Sequence, residues 1–147
     1  LEDRCRGAAA ANPGRIGAFI GYSERLARLC YGGADAVLVP SRFEPCGLAQ
    51  LSALRYGALP IVARTGGLAD TVIDANAAAI TAGCSTGFVA APDNLPMLAH
   101  AIRRATAAFR TPALWARLQA NAMASDVSWS RSAGEYAALL KGLAARG

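Results

Sequence analysis

Histidine is almost missing: His100 stands alone among 147 residues. A His-dependent triad or an imidazole-rich zinc site therefore has nothing to draw on. The cysteines, at 5, 30, 46 and 84, include no CxxC pair. A thiolate metal cluster is equally unsupported, and a chain that is 54% hydrophobic does not need disulfide staples. Reduced thiols in a cytoplasmic setting fit better. No apolar run approaches the roughly 20 residues that cross a bilayer, because Arg, Asp, Pro or Gly interrupts each one, so no membrane partner is expected. The opening Leu1-Glu2-Asp3-Arg4 has neither the basic nor the apolar region of a signal peptide, and it lacks an initiating Met. The sequence is expected to begin inside a longer polypeptide. Lysine is confined to Lys141, so 14 of the 15 basic residues are Arg, against 10 acidic ones. These cations are spread out, only Arg103 and Arg104 are adjacent, and aromatics do not interleave with them, which argues against nucleic acid as a partner. The arginines fit a solvated surface from a GC-rich genome, or a ligand that bears phosphate.

What is present suits one α/β domain. Ala36-Val37-Leu38-Val39 and Ile61-Val62-Ala63 are continuous apolar runs, the pattern of strands buried on both faces of a parallel sheet. A run from Arg15 to Gly21, with Ile16, Phe19 and Ile20, reads as an earlier strand, and Gly87-Phe88-Val89-Ala90 as a weaker one. Ser23 can cap a helix carrying Leu26, Leu29 and Cys30, and residues 47–56 carry Leu48, Leu51 and Leu54 with Gly57 beyond. This alternation of strand and helix argues for a doubly wound sheet. The last third is helical: Leu95, Leu98, Ile102 and Phe109 follow one stripe, Thr111-Pro112 opens another helix, and Tyr136, Leu139, Leu140 and Leu143 mark a terminal one. His100 lies within the first of these and reads as packing or surface. The Ala-rich patch at 8–11 reads as compositional bias.

Ligands of open α/β sheets bind beyond the carboxyl ends of the strands, where loops enter helices. The richest such loop runs from Pro40 to Gln50. Gly47 permits close backbone approach, and the amides of Gly47, Leu48 and Ala49 fall at a helix start, where they attract phosphate. Glu44 would repel that anion, but it makes chemical sense if it hydrogen-bonds sugar hydroxyls next to the phosphate. Alternatively it caps amides of its own loop. Thr65-Gly66-Gly67 is a second candidate, or a plain turn. Tyr22, after Gly21, can stack on a base or serve as a half-buried packing residue.

Three segments together are more specific. Pro40-Ser41-Arg42-Phe43-Glu44-Pro45-Cys46-Gly47-Leu48, then Leu54-Arg55-Tyr56-Gly57, then Thr65-Gly66-Gly67-Leu68-Ala69-Asp70-Thr71-Val72 resemble the C-terminal domain of bacterial glycogen synthases and plant starch synthases. Gly32-Gly33-Ala34-Asp35, Thr86-Gly87-Phe88 and Val127-Ser128-Trp129 extend the resemblance in order to the terminal helix. It implies a GT-B fold, of which this chain would be the later part of a Rossmann-like C-terminal domain ending in several helices. Residues 1–147 would then form a partial nucleotide-sugar-binding domain, with strands to about 92 and a helical part from about 94 to 147. The implied reaction transfers glucose from ADP-glucose to the non-reducing end of an α-1,4-glucan with retention, and needs no metal or other cofactor. The resemblance makes Glu44 the essential carboxylate near the donor sugar. It makes Cys46, Gly47, Leu48 and Ala49 the receivers of the ADP phosphates, Tyr22 the adenine partner, and Thr65, Gly66 and Gly67 a loop on the sugar and phosphate side. Ser52 stands where many GT-B transferases hold the ribose with a second Glu, and Ala49 where many bacterial members have Thr. The Arg and Lys that neutralise the leaving diphosphate, and the N-terminal domain with its His, belong to parts of the family not present here. The chain alone is therefore expected to be inactive. The alternatives are a nucleotide-sugar-binding module without transfer, or another GT-B transferase, which Glu44-Pro45-Cys46-Gly47 disfavours. If the 16–20 run is the third strand of its domain, the first two strands are absent from the chain. The strands at 36–39 and 61–63 would still pair, and the first would keep an exposed apolar edge. The isolated piece would then be unstable or aggregate.

Overall fold

The computed structural model describes residues Leu1–Ala145; residues 146–147, the end of the proposed domain, lie outside the described residues. Leu59–Ala63 is the fold's organising segment. Its five residues are all buried, as a continuous apolar run demands of a central parallel strand. This strand, β2, is flanked by β1 (Ala36–Val39) and β3 (Phe88–Ala90), all parallel, in the order β1-β2-β3. The register sets Leu38 against Ile61 and Ile61 against Phe88. Pro60 is tolerated in the middle strand because β3 begins to pair only at Ile61, so no ladder bond to β3 is lost there.

The chain order is α1 (Glu2–Ala11), α2 (Glu24–Gly33), β1, α3 (Ala49–Tyr56), β2, α4 (Gly66–Thr71), α5 (Ala77–Ala82), β3, α6 (Leu95–Phe109), α7 (Pro112–Ala124) and α8 (Trp129–Ala144). Alternate residues of β2 feed two cores. Leu59 and Ile61 join Leu54, Phe88, Trp115 and Leu118 on one face, and Val62 joins Val39, Leu68 and Val72 on the other. Ala101, Ala105 and Ala108 recur at helical spacing and let α6 lie close against the first face. Each large apolar side chain so buried contributes about 2 kcal/mol.

The expected strand at 15–21 does not form. The segment has no regular structure, and Ile16, Phe19 and Ile20 are exposed. A strand exists only through hydrogen bonds to a neighbour, and among the described residues none pairs with this run. Among the described residues the outer edge of β1 is likewise unpaired, and Leu38 on it is 47% exposed. The Ala-rich start, read as mere bias, is helical but has no buried residue, and neither has α8. The short α4 and α5 were not evident from the sequence.

The link between α4 and β3 is fastened by charge. Asp74 accepts from the Val89 amide at 2.8 Å and from both terminal nitrogens of Arg104 at 3.1 and 3.0 Å. Arg104 also donates to the Ala75 carbonyl at 2.6 Å and lies 5.6 Å from the centre of the Phe88 ring. Two-point, largely buried pairing of this kind is among the stronger polar contacts. Replacing Arg104 with Ala leaves Asp74 short of its partner and lowers unfolding free energy by about 2 kcal/mol. A reduced urea midpoint, partly restored in Arg104→Lys, is the expected result.

Candidate functional site

The three parallel strands release their chains at the same end of the sheet, and the candidate loops gather there. After Val39 the backbone runs without regular structure to Leu48, where α3 begins. Within this loop the Ser41 hydroxyl donates to Glu44 Oε2 at 3.1 Å. Glu44 is half-buried, and no backbone amide is seen bonded to its carboxylate among the described residues. That disfavours a cap for its own loop and leaves acceptor capacity free. Phe43 is 82% exposed and does not enclose the acid.

The start of α3, like those of α1, α4, α7 and α8, has no side-chain cap, whereas those of α2, α5 and α6 have one. Ser23, Asn76 and Asn94 close those helices by accepting from the amides of Leu26, Ala79 and Met97. Leu48, at the head of α3, offers no such side chain. Among the described residues the amides of Gly47, Leu48 and Ala49 have no acceptor. Gly47 itself is buried, with the Gln50 side chain packed against it. With the helix dipole, the row of amides is an arrangement suited to an anion. Cys46, at the same turn, is exposed.

Thr65, Gly66 and Gly67 open α4 rather than forming a free loop. Their glycines meet protein backbone at close quarters. A Cβ on Gly66, whose φ is 45°, would lie 1.7 Å from the Glu44 carbonyl oxygen, and one on Gly67 would lie 2.0 Å from that of Cys46. The Gly67 amide donates to the Glu44 carbonyl at 3.3 Å. The paired glycines therefore dock one loop against the other. The structure thus brings Glu44, Cys46, Gly47, Leu48 and Ala49 together with Gly66 and Gly67, and Thr65 heads the same helix.

Tyr22 is not drawn into this group. It is 91% exposed, before α2, and borders a separate hollow with Phe19, Leu26 and Cys30. His100 is exposed on α6. Two features escaped the sequence reading. One is a cavity of about 290 Å³ across the strand ends, lined by Pro40, Arg42, Ala63, Asp93 and Leu95, with Arg42 paired to Asp93 at 3.0 Å. The other is Gln50, wholly buried beneath Gly47. Among the described residues no group of three or more His, Cys, Asp or Glu is placed to hold a metal, and no helix is long and apolar enough to cross a membrane.

A family profile described as "Glycosyl transferases group 1" matches residues 8–114. Glycogen synthase 1 of Rhizobium meliloti is 55% identical over all 147 residues, which span 31% of that protein. The glycogen synthase of Rhodopseudomonas palustris is 56% identical over 99% of this chain, spanning 30% of its own length. The chain thus covers about a third of the relatives it matches. Among solved structures, the catalytic domain of starch synthase IV from Arabidopsis thaliana, bound to ADP and acarbose, superposes on 93% of this chain and 28% of its own, with a TM-score of 0.83 and 32% identity. The sucrose-phosphate synthase of Thermosynechococcus elongatus covers 99% of this chain and 35% of its own at a TM-score of 0.65 and 28% identity. The sheet and its helices are those of a GT-B C-terminal domain, α/β with a parallel Rossmann-like sheet.

Proposed function

The chain belongs to the group 1 glycosyl transferases, and from that premise we propose that it is the donor-nucleotide part of a glycogen synthase. In this reading ADP-glucose is the donor, the non-reducing end of an α-1,4-glucan the acceptor, and the anomeric configuration is retained. An N-terminal domain, outside the chain, completes the cleft, and the enzyme works in the cytoplasm without a metal or other cofactor. The observation that carries the reading is the row of unmatched amides at Gly47, Leu48 and Ala49 beside the half-buried Glu44.

Each residue then has a physical task. The α3 amides and dipole receive the diphosphate, and they hold it more strongly as charge accumulates on the departing ADP. Glu44 keeps one oxygen on Ser41 and turns its remaining acceptor sites to the glucose hydroxyls, steadying the positive charge that develops at the anomeric carbon. Tyr22, from its exposed position, covers adenine once the complete cleft is assembled. Thr65, Gly66 and Gly67 serve the site by shaping its floor. The chain alone transfers no glucose, because the groups that neutralise the diphosphate from the other side lie elsewhere.

The test uses the Rhizobium meliloti glycogen synthase 1 with its matching segment replaced by this chain. The chimera transfers glucose from ADP-glucose to glycogen. In hydrogen exchange, ADP slows the amides of Gly47, Leu48 and Ala49 more than those of any other strand-end loop. Protection confined to another loop would overturn the phosphate assignment.

A further inference from the structure

Gln50 is wholly buried in a helix, an uncommon place for a side-chain amide. Its Nε2 donates to the Cys46 carbonyl and to the Thr71 hydroxyl, each at 3.1 Å. Thr71 in turn donates to the Gly67 carbonyl at 2.6 Å. A carbonyl can only accept, so the Gln50 atom facing Cys46 has to be the nitrogen. Its Oε1 has no donor among the described residues. The amide fills the space that a side chain at position 47 would take: a Cβ there would lie 2.3 Å from Oε1 and 2.7 Å from Nε2.

In a planar trans peptide the C=O and the following N–H point in opposite directions. The Cys46 carbonyl and the Gly47 N–H belong to one such plane. Holding the carbonyl on Gln50 therefore aims the Gly47 N–H away from Gln50. We propose that Gln50 is a positioning residue that aims the Gly47 amide at the donor's diphosphate, with Thr71 fixing its side chain and coupling it to α4. The inference rests on the donor-site reading given above and adds a residue to it. Gln50 touches no substrate; it acts through the peptide plane. The same packing accounts for Gly47: any side chain there would displace the amide that orients its own backbone.

Gln50→Met keeps the length and shape of the side chain and removes both donated bonds. In the Rhizobium meliloti chimera, affinities for ADP and for adenosine are measured side by side by calorimetry. Gln50→Met weakens ADP about tenfold and leaves adenosine unchanged, because only ADP carries the diphosphate. KM for ADP-glucose rises by a similar factor, and restoring a donor of shorter reach with Gln50→Asn recovers little. Thr71→Val, which leaves the bond to Cys46, weakens ADP about threefold with the same selectivity, and it stands in should Gln50→Met fail to fold. Equal weakening of both ligands, or of neither, would overturn the aiming role while the donor-site reading stood. An unsubstituted chimera that binds ADP no better than adenosine would instead remove the diphosphate reading and this inference together.

Discussion

Replacing Glu44 with Ala in the chimera lowers glucosyl transfer from ADP-glucose by about a hundredfold to a thousandfold, the scale of losing one group that stabilises transition-state charge. The fall lies in kcat, because the diphosphate grip comes from the α3 amides and not from this side chain. Stability changes little. Among the described residues the one side-chain bond to Glu44 is from the Ser41 hydroxyl, a contact of about 1 kcal/mol or less on a half-buried group. The Glu44 carbonyl, which holds Gly67, is untouched by the substitution. Glu44→Gln keeps the size of the side chain and an acceptor for Ser41, but it loses the anion and exchanges the second acceptor for an N–H donor, so it remains nearly as inactive. Steady-state kinetics with a thermal unfolding curve settle the matter. Turnover close to that of the parent would refute the role of the carboxylate.

The second large effect is at the paired glycines. Gly66→Ala and Gly67→Ala each place a methyl group within about 2 Å of a carbonyl oxygen, of Glu44 and Cys46 respectively. Both obstacles are backbone, so no rotamer relieves the clash; the two loops must separate by more than about 1 Å, a displacement able to cost a hundredfold in rate. Gly66 adds strain through its φ of 45°. Each substitution lowers transfer about a hundredfold and destabilises by about 3 kcal/mol. Gly134→Ala, on α8 where a Cβ meets nothing within 4 Å, is the control and is neutral or slightly stabilising. If Gly67→Ala retained parental kcat and KM, the close docking of the two loops would not matter to the reaction.

The sequence showed most clearly those elements whose signal is local. Ala36–Val39 and the run around Ile61 are legible because strands buried on both faces need unbroken apolar stretches. The Ser23 cap and Thr111-Pro112 are legible because helix starts obey local rules. The 16–20 run misled because its apolar pattern carries no information about whether a neighbour stands alongside. Helix α1 was passed over because its Ala-rich sequence has helical propensity but no apolar stripe to bury. At the site, Glu44 and the α3 start were readable from a strand, a glycine and a helix in succession. Gln50 and Thr71 were not. Gln50 lies off the Leu48, Leu51 and Leu54 spacing that marks this helix in the sequence, and its burial follows from α4 folding over it.

The glycines at 66 and 67 and the bond from Gln50 to Thr71 join two stretches of sequence into a single piece. Neither can be transplanted by itself. Exchanging residues 40–48 for those of another transferase, to alter which donor is used, would leave the incoming turn resting on a foreign α4. A graft that also carries residues 49–50 and 66–71 keeps the seam intact, and it is the smallest exchange that the packing permits.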